Sequence, residues 1–272
     1  MSHAPAQFWR PRELATDRTC LWRLGALRLW IRRDELAWRL AEEYGETFDQ
    51  MNASVVPHDV VPERLEWHTI ALERTHPHFF LRPELPDLPV VARPDEPVVV
   101  PAGEHMTYYC LLPAWARFCL YKEDQTTLQA FEAWPTRRLS RTWFGDPANG
   151  LLGYALAFPF VRDWQALAIL PQHVIVPVRI ENASGEHLSF ERLCLRPQHM
   201  GIYAGSRDLW ASAVEVVFHG VNRASSLHYG TTCPREASGA RLVSAARERA
   251  ERSLAGITFS APSPNDFRSR PA

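Results

Sequence analysis

Apolar and polar side chains alternate along residues 21–32, near the start of the chain. The two alternating sets are Leu27, Leu29 and Ile31 on one side and Arg28, Trp30 and Arg32 on the other. A period of two residues is typical of a half-buried β-strand. Residues 33–35 would turn the chain, and Leu36, Trp38 and Leu40 would form the returning strand. A helix is the competing interpretation of the second segment, because residues 36, 40, 44 and 48 are all apolar or aromatic.

Short apolar segments with the same character recur through the rest of the chain. The segments that predict strands are residues 65–72, 79–81, 90–91, 98–100, 106–112, 116–121, 151–161, 167–170, 174–181, 188–195, 200–204, 211–219 and 257–259. Residues 128–133 fit either a strand or one helical turn. Frequent prolines between residues 82 and 101 favour edge strands and extended connections there, because proline lacks a backbone donor.

Two features of the second half of the chain look especially clear. Residues 174–181 and 188–195 are joined by Asn-Ala-Ser-Gly-Glu at 182–186, which predicts a β-hairpin. Residues 236–254 predict an amphipathic helix, with Gly256 at its C-terminal end. The apolar stripe of that helix would consist of Leu242, Val243, Ala246, Ala250 and Leu254.

These elements predict a mainly β fold of antiparallel β-sandwich modules, one large or two small, with one C-terminal amphipathic helix. The expected division is a flexible N-terminal tail at 1–17, a Pro-rich β module at 18–138, a second β-sandwich with the helix at 139–260, and a disordered tail at 261–272. The boundary follows the change in composition near residues 135–139.

Composition narrows the classes of function. The chain has 272 residues and a formal net charge of −1, which argues against general binding to nucleic acids or anionic membranes. Five cysteines with no CxxC spacing favour reduced thiols and a cytoplasmic location. The longest apolar run, residues 151–161, is too short to span a membrane and contains Pro159. No signal peptide and no direct membrane insertion are expected.

The densest local signal is the segment at 142–150, Thr-Trp-Phe-Gly-Asp-Pro-Ala-Asn-Gly. Arg137, Arg138 and Arg141 precede it, and Trp134 and Trp143 lie on either side of these arginines. Arginine beside exposed aromatic rings can bind anions, sugars or a partner chain. The predicted binding residues are Arg138, Arg141, Trp143 and Asp146. The alternative is that both tryptophans belong to the core and that the arginine stems cover them.

Evidence for catalytic or metal chemistry is weaker. His76 and His78 would point the same way on a strand and are the weak metal candidates, but no third ligand is fixed beside them. The set Cys194, His199, His219, His228 and Cys233 matches no zinc spacing. Ser225, Ser226 and His228 lie close together without a nucleophile-elbow motif. No cofactor is expected, and a carboxylate pair for hydrolysis would leave no local signature.

Four stretches together resemble a known family. They are WRLGALRLW at 22–30; LRP, PDLPVV and RP at 81–83, 86–91 and 93–94; RLSRTWFG at 138–145; and PVRIEN at 177–182 with residues 188–195. The set is similar to a prokaryotic domain-of-unknown-function family of mainly β proteins, often encoded beside small-conductance mechanosensitive channels. The resemblance covers about residues 21–259.

The resemblance implies a non-enzymatic binding or accessory protein of a mechanosensitive channel or a membrane-stress system, with a protein partner such as a membrane channel or its cytoplasmic domain. It brings no catalytic residues, and the oligomeric state stays open. The family tends to carry an acidic residue, often followed by Leu-Cys, after the Trp-Phe-Gly turn, whereas this chain has Gly-Leu-Leu-Gly-Tyr at 150–154. The alternative function is a hydrolase that acts on a sugar or small polar substrate in a cleft between β modules.

Overall fold

A computed structural model of the protein describes residues 8–121, 128–220, 223–249, 254–256 and 259–260. Within them the chain is mainly β. The strands are β1 (Arg12–Glu13), β2 (Arg18–Arg33), β3 (Ala37–Val56), β4 (His68–Ala71), β5 (His78–Glu84), β6 (Val90–Pro94), β7 (Val98–Val100), β8 (His105–Pro113), β9 (Trp115–Tyr121), β10 (Leu128–Pro135), β11 (Ser140–Phe144), β12 (Leu151–Phe158), β13 (His173–Asn182), β14 (Leu188–Phe190), β15 (Arg192–Leu195), β16 (Ile202–Ala204), β17 (Leu209–Ala211), β18 (Val214–Phe218), β19 (Ser225–Tyr229), β20 (Arg241–Ser244), β21 (Leu254–Gly256) and β22 (Phe259–Ser260). Short 3₁₀ helices are η1 (His58–Val60), η2 (Trp164–Ala166), η3 (Pro197–His199) and η4 (Arg235–Ala237). None of the helices in the described part of the chain is long and apolar enough to cross a membrane.

The hairpin predicted near the start of the chain is confirmed. Strands β2 and β3 pair antiparallel, with Arg33 opposite Trp38 at the turn, and β4 adds a third strand beside β3. The helical alternative for the second segment is wrong, because β3 continues as a strand to Val56. Leu27, Leu29 and Ile31 are fully buried in the main core, as the period of two residues indicated.

The hairpin predicted between residues 174–181 and 188–195 is wrong, although both segments are strands. Strand β13 pairs antiparallel with β8 on one edge and parallel with β17 and β18 on the other. The returning segment divides into β14, which pairs with β7, and β15, which pairs with β6. Side chains on both faces of β13 are buried, so this strand is the centre of a sheet.

Strands from both sides of residue 138 hydrogen-bond to one another. Strand β6 lies between β12 and β15, and β13 lies beside β8. One large cluster of buried side chains runs from Phe8 to Tyr229. Within the expected flexible tail at 1–17, Phe8 and Trp9 are buried, and Phe8 packs edge-on against Trp22, 4.7 Å between ring centroids. Residues 1–7 and 261–272 lie outside the described residues.

The helix predicted at residues 236–254 is wrong where the structure describes this segment. Strand β20 replaces it and pairs with β16, which leaves Leu242 of the supposed apolar stripe 50% exposed. Ser244 Oγ donates to the carbonyl oxygen of Pro83, and Arg247 Nη1 donates to that of Leu85, at 2.6 Å. Tertiary pairing and these polar contacts outweigh the weak helix preference of the local sequence. Residues 250–253 lie outside the described residues.

Candidate functional site

The turn between β11 and β12 is fixed by local hydrogen bonds that its sequence provides. Asp146 Oδ1 accepts from the backbone N–H of Ala148 at 2.8 Å, which is the usual aspartate turn. The N–H of Gly150 donates to the Asp146 carbonyl oxygen at 2.7 Å. Gly145 has a φ of 97°, a conformation that favours glycine. The motif that dominates the sequence is therefore a defined turn at the end of a β-hairpin.

Trp143 lies on this hairpin and is 46% exposed. Its indole Nε1 donates a hydrogen bond to the Asp146 carbonyl oxygen, 3.0 Å away. The ring also packs over Gly150, where an added Cβ would collide with Nε1. The exposed indole is consequently held in one orientation by its own turn.

Arg141 and Trp143 lie on the same face of β11, since side chains two apart on a strand point the same way. Across the hairpin they stand opposite Tyr154 and Leu152, respectively. Tyr154 in turn pairs with Val90 of β6, which is fully buried in the main core. This face of the sheet is therefore buried at Val90 and exposed at Leu152 and Trp143. We call Arg141, Trp143 and Leu152 the Trp143 surface.

The opposite face of the hairpin is only partly covered, because Leu151, which stands across from Phe144, is 36% exposed. Phe144 is buried with Val91 and Cys194 in a small separate cluster. Among the described strands, β12 alone pairs with β11, so β11 forms the edge of its five-stranded sheet. The Trp143 surface thus combines an uncovered apolar face with an available strand edge.

Tyr154 lies where the buried part of this face meets the exposed part. Its hydroxyl donates to Asp87 Oδ1 at 2.9 Å, and its ring is tilted against Trp115. Burial, followed by the hydrogen bond to Asp87, raises the pKa of Tyr154 to about 12, while Arg141 acts in the opposite direction. The hydroxyl therefore stays protonated at neutral pH, and Arg141 contributes a positive charge at this margin.

The structure does not bring all four predicted binding residues together. Trp143 and Asp146 are in direct contact, and Arg141 shares a face with Trp143. The Arg138 guanidinium instead stacks on the ring of Tyr44, 3.9 Å from its centroid. Burial raises the pKa of Tyr44 to about 12, and Arg138 opposes that shift. Binding by these residues stays a prediction.

The two tryptophans that flank the arginines differ in their exposure to solvent. Trp134 is 2% exposed and belongs to the core, which agrees with the core interpretation for that residue. Trp143 is exposed, which agrees with the recognition interpretation. The sequence around the two residues does not separate these outcomes, because each tryptophan lies on a β-strand with apolar neighbours.

Residues considered for metal or nucleophilic chemistry do not assemble into a complete site. No group of three or more His, Cys, Asp or Glu side chains in the described residues could hold a metal ion. His76 and His78 are both exposed, and His78 stands opposite Glu13 at the start of β5. His219 Nε2 lies 3.0 Å from Ser226 Oγ, which is a contact between one candidate serine and a histidine ring nitrogen.

A cavity that the sequence did not suggest lies in the second half of the chain. It has a volume of about 350 Å³ and is lined by Trp164, Trp210, residues 204–208 and residues 236–240. Its residues come from η2, from the β16–β17 hairpin, and from η4 with the segment that follows it. The sequence carried a weak signal in Trp164 beside the polar residues 162 and 163, whereas Glu236 was assigned to a helix that does not form.

Comparison with known proteins gives one match. The model of a family described as "Protein of unknown function (DUF432)" matches residues 8–262. No curated protein and no solved structure matches the chain.

Proposed function

We propose, from the premise that the chain belongs to this family of proteins of unknown function, that it is a non-enzymatic binding protein. The Trp143 surface is its docking site for a partner protein. The proposal rests on one observation about the sheet that contains β11 and β12. The face of this sheet that packs against the core continues past the core to Trp143, which is exposed and hydrogen-bonded to its own turn. Protein interfaces are typically anchored by such aromatic residues with arginine nearby.

The fixed orientation of Trp143 favours binding. Ordering a flexible side chain on association costs about 0.5–1.5 kcal/mol, and a preorganised side chain avoids much of that cost. The hydrogen bond to Asp146 and the packing over Gly150 supply this order before a partner arrives. Trp143 is therefore suited to act as the central anchor of an interface.

The occupant that fits best is an extended segment of the partner. Strand β11 is an edge strand, and an extended peptide can add to such an edge through main-chain hydrogen bonds. Trp143 and Leu152 would contact apolar side chains of the added strand. Arg141 would pair with an acidic side chain of the same strand.

The partner in this proposal is the cytoplasmic domain of a small-conductance mechanosensitive channel, so that the chain acts as a cytoplasmic accessory protein. The resemblance of the four sequence stretches to a family encoded beside such channels supports this choice. The five free cysteines, four of them buried, fit a reducing compartment.

The test is a calorimetric titration of the full chain with the purified cytoplasmic domain of the channel from the same host. Trp143→Ala should weaken binding about tenfold or more, equivalent to at least about 1.4 kcal/mol. Arg141→Glu should slow association. The matched control is Leu36→Ala, which removes another exposed apolar side chain, at the β2–β3 turn. Wild-type affinity in Trp143→Ala, or no binding by the unmodified chain, would reject the proposal.

A further inference from the structure

The cavity beside Trp210 is built from segments that take no part in the Trp143 surface. Trp164 and Trp210 form one corner of it, with ring centroids 5.1 Å apart and ring planes at 74°. Trp164 is half-buried, whereas Trp210 is 3% exposed. Both indoles line the cavity, and their ring planes are steeply inclined to each other. Such a corner is complementary to a small flat ligand with an apolar face and polar edges.

Trp210 also presents a hydrogen-bond donor that the protein leaves unused. None of the described residues accepts a hydrogen bond from its Nε1, and this nitrogen is not sealed from solvent, unlike the unpartnered indole nitrogens of Trp22 and Trp134. Gly205 lines the cavity on that side, where Cδ1 and Nε1 of Trp210 would be 3.9 Å from a Cβ added at residue 205. An indole N–H that is not sealed from solvent can donate to a ligand in the cavity that Trp210 lines. A ligand with an acceptor oxygen or nitrogen would use this donor.

The charges that line the cavity are balanced. Glu236 is held in the wall, because its Oε1 accepts from the Tyr109 hydroxyl at 3.0 Å. Arg179 Nη2 lies 3.7 Å from Glu236 Oε2, and Arg235 Nε lies 3.6 Å from Oε1. Arg179 Nη1 also lies 3.0 Å from Glu215 Oε1, so two guanidinium groups lie beside two carboxylates and this group of four has no net charge, although Glu236 Oε2 has no hydrogen-bond partner. The cavity offers no surplus negative charge from Glu236 to an incoming cation.

The rim of the cavity carries both hydrogen-bond donors and acceptors. Arg207 and Asp208 line it side by side, with Ser206 and Ser238. Burial raises the pKa of the Asp208 carboxyl, and the neighbouring Arg207 opposes that shift. The backbone is fixed where these residues lie, because the Gly205 N–H donates to the Asp208 carbonyl oxygen at 2.9 Å. The rim therefore offers donors and acceptors in alternation with almost no net charge.

We propose that this cavity binds one neutral sugar ring. The apolar C–H face of a pyranose packs against the negative face of an indole, and Trp164 is the exposed indole of the pair. A ring or hydroxyl oxygen of the sugar accepts the free hydrogen bond of Trp210, and Arg207 and Asp208 bind other hydroxyls. The volume of about 350 Å³ lies at the small end of ligand cavities. A quaternary ammonium ion fits poorly, since it has no acceptor for Trp210 and would face Arg207. An inorganic anion would not use the aromatic corner.

The experiment follows the indole N–H resonances of the ¹⁵N-labelled full chain by NMR. Trp210→Phe assigns the signal of Trp210. The probes are glucose, N-acetylglucosamine and maltose, with tetramethylammonium chloride and inorganic phosphate titrated in parallel. A saturable shift of the Trp210 signal with at least one sugar, and none with the ions, is the expected result. A saturable shift with tetramethylammonium or phosphate alone would overturn the assignment of ligand class. The absence of any saturable shift with the three sugars would overturn the site.

Three variants link the shift to the cavity. Trp164→Ala should weaken sugar binding about tenfold, equivalent to about 1.4 kcal/mol. Asp208→Asn, which keeps the shape of the side chain, should weaken binding while leaving the fold intact, so the test survives if the tryptophan variant unfolds. Trp143→Ala removes an exposed indole elsewhere and should bind sugar as the unmodified chain does. Equal affinity in Trp164→Ala and Asp208→Asn would contradict the proposal. Because the Trp143 surface is not involved, failure here leaves the proposed docking function untouched.

Discussion

Trp143 and Asp146 are joined by a hydrogen bond from the indole Nε1 to the backbone carbonyl oxygen, 3.0 Å long. Gly150 makes this arrangement possible, because a Cβ there would lie 2.6 Å from the carbonyl oxygens of Asp146 and Phe144 and closer still to the indole nitrogen. Gly150→Ala should therefore destabilise the protein by about 2 kcal/mol through overpacking. It should also shift the Trp143 indole resonance. Urea unfolding and ¹⁵N NMR measure the two effects.

Gly185→Ala is the matched control for this substitution. A Cβ at residue 185 meets no atom within 4 Å, and its φ requires no glycine. Its free energy of unfolding should stay within about 0.5 kcal/mol of that of the unmodified protein. The steric account of Gly150 is wrong if both alanine variants have the same stability.

Asn182 ends β13 and is completely buried. Its Nδ2 donates to the carbonyl oxygens of Val100, at 2.9 Å, and Glu186, at 2.7 Å. Asn182→Ala would remove the buried donor to the Val100 carbonyl oxygen and the Oδ1 that accepts from Ser184, and we expect a loss of about 3 kcal/mol in the free energy of unfolding. Chemical denaturation provides the measurement, with the exposed Gln165→Ala as the control. A loss below about 1 kcal/mol would show that water or another donor replaces the amide.

His173, at the start of β13, should make stability depend on pH. Burial, followed by the charge of Arg137, lowers the pKa of His173 from 6.5 to about 4. In the unfolded chain His173 is therefore protonated below about pH 6.5, whereas in the folded chain it is protonated only below about pH 4. The contribution of His173 to the free energy of unfolding is fully present above about pH 6.5 and is lost as the pH falls from about 6.5 to about 4. The loss is on the order of 3 kcal/mol, since one pKa unit corresponds to about 1.4 kcal/mol.

The contribution of His173 is isolated by comparing variants across that window. His173→Gln removes the titrating group, so its free energy of unfolding should fall less between neutral pH and about pH 4 than that of the unmodified protein. His105→Gln serves as the control, because His105 is largely exposed beside Glu181. Parallel pH curves for the unmodified protein and His173→Gln would contradict the expectation.

Arg247 connects the segment after β20 to the segment after β5 through hydrogen bonds. Its two terminal nitrogens donate to the carbonyl oxygens of Leu85 and Pro86. A lysine ammonium cannot reproduce this planar pair of bonds. Arg247→Lys should cost about 1 kcal/mol and increase hydrogen exchange in residues 241–249, whereas Arg249→Lys, at an exposed position, should change neither. Unchanged exchange in Arg247→Lys would mean that pairing with β16 and the Ser244 hydrogen bond to Pro83 hold β20 without Arg247.

The candidate site was predictable only in part. The turn at residues 142–150 follows from local sequence, because its glycines, aspartate and asparagine favour turns. Which of Trp134 and Trp143 is exposed depends on what other strands cover, and local sequence does not contain that information. The same holds for Arg138, which contacts Tyr44 on a strand distant in sequence. The cavity beside Trp210 was missed because its walls come from three separated segments.

Alternation of side chains by itself determined that this protein is mainly β and where most strands lie, since the period of two is a local property of an extended backbone. In β18 it also separated the buried Val214, Val216 and Phe218 from the exposed Glu215. Beyond the local β2–β3 hairpin, the tertiary structure decided which strands pair. Strand β13 is buried on both faces and takes neighbours from three other parts of the chain, so the adjacent segment does not become its partner. Residues 241–244 become a strand for the same reason, because β16 offers an edge whose hydrogen bonds outweigh a weak local preference for helix.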